Sequence, residues 1–113
     1  MRDAVIVGAV RTPIGRRRGG LSGQVLSALA DRANLDPSMV DDVIWGCVTQ
    51  AGEQSNNIGR SAVLAAGWPE SVPGTTVDRQ CGSSQQAVHF AAAAVIAGQA
   101  DLAEHHPIVG DGP

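Results

Sequence analysis

A chain of 113 residues has room for one domain, and a domain of that size buries a workable but modest core. Apolar residues make up 43% of it and aromatics only 3%, so the core must come from Ala, Val, Ile and Leu, with little buried area from each alanine. A net charge of −3 and a pI near 5.4 leave no electrostatic footprint for nucleic acid. The one basic run, Arg16-Arg17-Arg18, sits among glycines without aromatic neighbours and reads as a solvated loop rather than a phosphate contact.

Compartment and membrane follow from short stretches. No window approaches the roughly 20 apolar residues of a membrane span. The opening MRDAVIVGAVRTP reaches a charge at Arg11 before its apolar run is long enough for a signal peptide. Cys47 and Cys81 have neither metal-ligand spacing nor the density of a disulfide scaffold. The expectation is a cytoplasmic protein in a reducing compartment, with no membrane partner.

Residues 4–10, AVIVGAV, form a near-continuous β-branched run of the kind found in a strand covered on both faces. Arg11-Thr12-Pro13-Ile14-Gly15 breaks it, and a Gly/Arg loop continues to Gly23. Residues 24–33 show Val25, Leu26, Leu29 and Ala33 at helical spacing. Asp36-Pro37 pairs an N-cap residue with a first-position proline, which predicts a helical turn. Residues 43–48, VIWGCV, are the second strand candidate. Residues 56–66 make a helix with Ile58, Ala62, Ala65 and Ala66 as its stripe, ended by Gly67-Trp68-Pro69. Thr75-Thr76-Val77 is the third strand. Over residues 82–96 the helical period returns in Ala87, Phe90, Ala91, Ala94 and Val95, with Gly98 placed to close the helix.

Strand and helix alternate three times, which argues for an α/β layered fold. There is no internal repeat and no low-complexity tract. The ending breaks the order. Another apolar strand is due after Leu102, but residues 103–113 read AEHHPIVGDGP, with Ile108-Val109 bracketed by Pro and Gly. They are expected to be a divergent, disordered tail.

Cys81 is the residue with chemical potential. It stands between a β-branched segment and a helix, in VDRQCGSSQQAVHF. A thiol there lies near unpaired amides and the positive end of the helix dipole, a field that favours thiolate. Gly82 removes bulk beside the sulfur, Ser83 and Ser84 can cap the helix, and amides of the turn can donate to an oxyanion. Cysteine is also among the most buried residue types, so spacing alone leaves nucleophile and inert core residue both open. Cys47, inside an apolar strand, reads as inert. His89 lies eight positions on from Cys81, too far along a helix to serve as its base, and reads as structural.

Several segments together resemble the N-terminal part of a thiolase. DAVIVGAVRTPIGRRRGGLSG resembles that family's first strand and the loop after it, and VDDVIWGCVTQAGEQSNNIGRSAVLAAGWPESVPGTTVDRQCGSSQQAVHFAAAAVIAGQADL follows the family almost continuously. Ketoacyl synthases share the fold and the cysteine position but resemble the chain less, because the Arg-Thr-Pro-Ile-Gly and Asp-Arg-Gln-Cys-Gly-Ser runs are of thiolase type. The resemblance covers residues 1–102. It implies a thiolase-like layered fold, a mixed sheet with flanking helices, present as an incomplete N-terminal domain. It also implies a transferase of fatty acid metabolism that moves acyl groups between coenzyme A thioesters (acyl-CoA or acetyl-CoA) through an acyl-cysteine at Cys81. No metal or redox cofactor is expected, and the family's habit implies a homo-oligomer.

Two departures shape the expected activity. About ten residues look absent between the Leu-Ser-Gly loop and the first helix, shortening it by turns. The family's base, a histidine in a Gly-His-Pro motif, and its second cysteine belong to later parts of the fold. His105-His106-Pro107 resembles that motif only superficially. Acid–base help is typically worth about 10² to 10⁴ in rate, so the chain alone is expected to be weak or inactive. Two other readings remain: a non-catalytic remnant or interaction piece that pairs with a full-length thiolase, and a cysteine hydrolase using His105 or His106 as base.

Overall fold

The computed structural model describes residues 2–10 and 22–107. After an N-terminal stretch without regular structure come α1 (Ser22–Ala33), a 3-10 turn (Pro37–Met39), β1 (Asp42–Gly46) and a second 3-10 turn (Gly52–Gln54). Then follow α2 (Ile58–Ala65), β2 (Gly74–Val77), α3 (Ser83–Ile96) and β3 (Ala103–Pro107). Local chemistry sets most of these bounds. The Asp36 carboxylate accepts from the Ser38 N–H at 3.0 Å and its hydroxyl at 2.8 Å, starting the first 3-10 turn with Pro37 in its first position. The Asn57 side chain caps α2 by accepting from the Arg60 N–H at 3.2 Å. At the end of α3, Gly98 takes φ +74°. Its N–H reaches the Val95 carbonyl at 3.1 Å and the Gln99 N–H reaches that of Ala94 at 2.9 Å, satisfying carbonyls the helix leaves open.

The sheet among the described residues has the order β2-β1-β3 and is wholly parallel, where a mixed sheet was expected. Register runs Val43↔Gly74 to Gly46↔Val77 on one side of β1 and Asp42↔Ala103 to Gly46↔Pro107 on the other. Side chains of β1 alternate between faces. Val43, Trp45 and Cys47 join Leu26 and Ala30 of α1, Ile58, Ala62 and Val63 of α2, and Trp68 and Val72 in one core. Ile44 packs on the other face with Ala87 and Ala91 of α3. The result is a three-layer α/β fold, helices on both faces of a parallel sheet.

Three further expectations change. Residues 4–10 belong to no strand, and Val5, Ile6 and Val7 are 76%, 76% and 70% exposed. Both edges of β1 are taken by β2 and β3, and β propensity describes a side chain's fit to a pleated surface, not its partner. Residues 103–107, expected within a disordered tail, instead form β3. They are pinned by Asp41, whose carboxylate accepts from the Asp101 N–H at 2.7 Å and the Leu102 N–H at 3.1 Å, while its own N–H donates to the Leu102 carbonyl at 2.9 Å. Pro107 is tolerated because it closes a strand that, among the described residues, lies at the edge of the sheet. Finally, Phe90 is 49% exposed: the buried line of α3 is Ser83, Ala87 and Ala91, at strict i, i+4 spacing. The Arg11–Gly15 loop, the Arg16–Arg18 run and the tail from residue 108 lie outside the described residues.

Candidate active site at the start of α3

Parallel strands point their C-terminal ends the same way, and sites in such folds gather at that edge. Here that edge carries the segment from Asp78 to Gly82, which leaves β2 and turns into α3. The turn is held from inside. The Asp78 carboxylate accepts from the Gln80 N–H at 2.9 Å, and the Gly82 N–H reaches the Arg79 carbonyl at 2.9 Å. Ser83 fills the centre: its hydroxyl accepts from the Arg79 N–H at 2.9 Å and donates to the Gln80 carbonyl at 2.9 Å. The Arg79 guanidinium reaches over to the Gln86 side-chain oxygen. Gln80 itself sits at φ +46°, in the left-handed region.

Cys81 projects from this turn and is exposed. It immediately precedes Gly82, the N-cap residue of α3, and Gly82 offers no side chain to close the helix end. The amides of Gly82 and Ser83 are engaged within the turn, the former on the Arg79 carbonyl and the latter on the Gln80 carbonyl at 3.3 Å. The sheet holds this helix start closely. A β-carbon on Gly46 would lie 2.6 Å from the Ser83 carbonyl carbon and from the Ser84 nitrogen, so only glycine lets β1 approach the first turn of α3.

Cys47 is the contrasting thiol. It is buried at the end of β1, and its sulfur donates to the Gln54 side-chain oxygen at 3.3 Å and lies 3.6 Å from the Thr49 carbonyl. Burial first, and then the Asp78 carboxylate, push its thiol up from its ordinary range. Its burial agrees with the apolar stretch it occupies in the sequence.

None of the three histidines stands on the Asp78–Gly82 turn itself. His89 is exposed on α3, about 12 Å along the chain's helical rise from residue 81. His105 and His106 lie in β3 opposite Ile44 and Trp45, with β1 between them and β2, so their strand is about 10 Å from β2. A shallow cavity of about 470 Å³ opens elsewhere, between Gln50, Asn56, Asn57, Thr75 and Thr76. Its polar lining ties α2 to β2: Asn57 donates to the Gly74 carbonyl at 2.7 Å, and the Thr76 hydroxyl donates to Asn57 at 2.7 Å while accepting from the Gly59 N–H at 3.0 Å. Among the described residues no cluster of three His, Cys, Asp or Glu is arranged for a metal ion, and no helix is long and apolar enough to cross a membrane.

Sequence reasoning located Cys81 but gave Ser83 only a capping role. Its hydroxyl works on the preceding turn instead, and the left-handed Gln80 carries no local signal, because glutamine is not a residue that favours that conformation.

Comparison with known proteins fits this geometry. The family model for the N-terminal domain of thiolase matches residues 4–103. A steroid 3-ketoacyl-CoA thiolase of Mycobacterium tuberculosis is 54% identical over 110 residues, covering 90% of this chain and 27% of its own length. A 3-ketoacyl-CoA thiolase of Saccharophagus degradans is 48% identical over 111 residues, covering 89% and 28% respectively. The crystal structure of the Bacillus anthracis acetyl-CoA acetyltransferase superposes with a TM-score of 0.83 at 34% identity, over 100% of this chain and 31% of that one. The chain therefore spans less than a third of the length of these relatives. With its α/β layers, its thiol at the mouth of α3 and this match over nearly all of its length, the chain belongs to the thiolase family, as an N-terminal domain segment.

Proposed function

We propose that this chain is the nucleophile-bearing segment of a thiolase-type acyltransferase, with Cys81 as the residue that accepts the acyl group. The carrying observation is the exposed thiol on a braced turn directly before α3, in a chain of this family. In the reaction, the Cys81 sulfur, its proton given up to a base, bonds to the carbonyl carbon of an acyl-CoA thioester. The bond from that carbon to the coenzyme A sulfur then breaks, and coenzyme A leaves as a thiolate that takes up a proton. A second acyl-CoA, or free coenzyme A in the degradative direction, takes the acyl group and restores the thiol. A thiolate both attacks and leaves well, so this split needs no metal or redox cofactor beyond the thioester substrates.

Incubation with acetyl-CoA followed by intact-mass measurement tests the reading. One acetyl group is expected on the wild-type chain and none on Cys81→Ala. A folded wild-type chain that gains no acetyl group refutes retained acyl transfer.

Exposed apolar surface favours a second reading. Val5, Ile6, Val7, Phe90 and Ile96 all face outward, a pattern that marks contact surface. On this reading the chain pairs with a full-length thiolase without catalysing. Co-purification with such a protein supports it, and a stable isolated monomer counts against it.

A further inference from the structure

We infer that Ser83 is the positioning residue that aims the Cys81 thiol for acyl transfer; the inference rests on the proposed role of Cys81 as acyl acceptor. Ser83 is 3% exposed and is the one buried polar residue in the line that α3 turns toward the sheet. Alanine occupies the two equivalent positions below it, Ala87 and Ala91. Packing alone would be served by alanine here too. The hydroxyl is there for the turn.

Its two hydrogen bonds, from the Arg79 N–H and to the Gln80 carbonyl, close a loop around Gln80. The Asp78 carboxylate holds the other end of the same residue through its N–H. Gln80 is thereby kept at φ +46°, which a residue with a β-carbon adopts when its surroundings hold it there. The next peptide carries Cys81, so the backbone direction at Gln80 sets where the sulfur points. Among the described residues no hydrogen bond to the Cys81 sulfur does this instead. Meanwhile, the close approach of Gly46 fixes the Ser83–Ser84 peptide against β1. Ser83 therefore couples a part anchored to the sheet to the part that presents the thiol.

A split between two reactions separates positioning from mere folding. Acetyl transfer from acetyl-CoA needs the sulfur held at a defined angle to the carbonyl, whereas alkylation by iodoacetamide needs only an accessible thiol. Ser83→Ala is expected to slow acetyl-Cys81 formation at least about tenfold while alkylation stays within about twofold. Adding Gln80→Gly to Ser83→Ala should recover part of the loss, because glycine takes a positive φ without support. Acetylation of Ser83→Ala at the wild-type rate, or equal slowing of both reactions, overturns the inference. A wild-type chain that is never acetylated removes the reading of Cys81 and this inference with it, whereas an acetylated wild type with an unchanged Ser83→Ala removes the inference alone. Should circular dichroism show Ser83→Ala unfolded, Gln80→Gly alone decides. With the Ser83 hydroxyl in place it should acetylate within about twofold of wild type, and a loss of about tenfold would assign the aim to the residue 80 side chain instead.

Discussion

The two faces of β1 are packed from different materials. Toward α1 and α2 it turns Val43, Trp45 and Cys47, which meet Leu26, Val63, Trp68 and Val72, several of them wholly buried. Toward α3 it turns Ile44 and the bare backbone of Gly46, against Ser83, Ala87 and Ala91. Buried apolar area stabilises in proportion to its extent, so the first face supplies most of the stability. The second has little area but brings backbone against backbone, which fixes the height of the Cys81 turn above the sheet edge. One face holds the domain together and the other places the thiol.

Substitutions on the two faces should therefore fail in different ways. The largest expected effect is Trp45→Ala, which empties a large wholly buried site and should cost about 3–5 kcal/mol, a large share of a small domain's stability. Chemical denaturation measures this, and a cost under about 1 kcal/mol would break the contrast between the faces. Gly46→Ala comes next. The added β-carbon must push on the Ser83–Ser84 peptide, for about 1–3 kcal/mol of overpacking. The distinguishing result is local: acetylation at Cys81 should drop more than stability does, whereas Trp45→Ala should lower both through unfolding. The two cysteines give a smaller, cleaner pair. Cys47→Ala removes one buried heavy atom and the bond to Gln54, about 1 kcal/mol, whereas Cys81→Ala at the surface should stay within about 0.5 kcal/mol.

How much of this was legible in the sequence follows the same division. Elements set by local chemistry were readable: Asp36-Pro37, the VIWGCV strand, the helix that Asn57 caps and Gly67 ends, and Gly98 closing α3. Features set by distant partners were not. Residues 4–10 have a buried strand's composition, yet β1 pairs with Ala103–Pro107, just beyond residues 101 and 102, which the Asp41 carboxylate grips from some 60 positions away. Phe90 was misplaced for a related reason. Weighting by hydrophobicity put it in the stripe, but a helix lying against a glycine must turn its small residues inward. At the candidate site, the place of Cys81 between a strand and a helix was legible. The brace around it depends on a hydroxyl and a left-handed glutamine that no periodicity marks.

The smallest expected effect tests that long-range grip through pH. Asp41 and Asp42 are neighbours whose carboxyls move in opposite directions. Hydrogen bonds from the Asp101 and Leu102 amides hold Asp41 below its ordinary 3.8, and burial raises Asp42 above the same value. For Asp41 the unfolded chain takes up its proton first as pH falls. Its stabilisation is therefore complete above 3.8 and fades as pH drops through the lower folded value. Asp42 has the reverse sign, since the folded chain binds its proton more readily and is relieved by mild acid. Amide exchange at Asp101 and Leu102, corrected for intrinsic rates, should accelerate below pH 3.8 in the wild type. In Asp41→Asn that pH step should vanish, and exchange should already be faster at neutral pH. Asp42→Asn should keep the step while raising stability at neutral pH. If Asp41→Asn retained the step, the entry to β3 would be held by its strand pairing alone, and the side chain that recruits residues 103–107 to the sheet would have to be sought elsewhere.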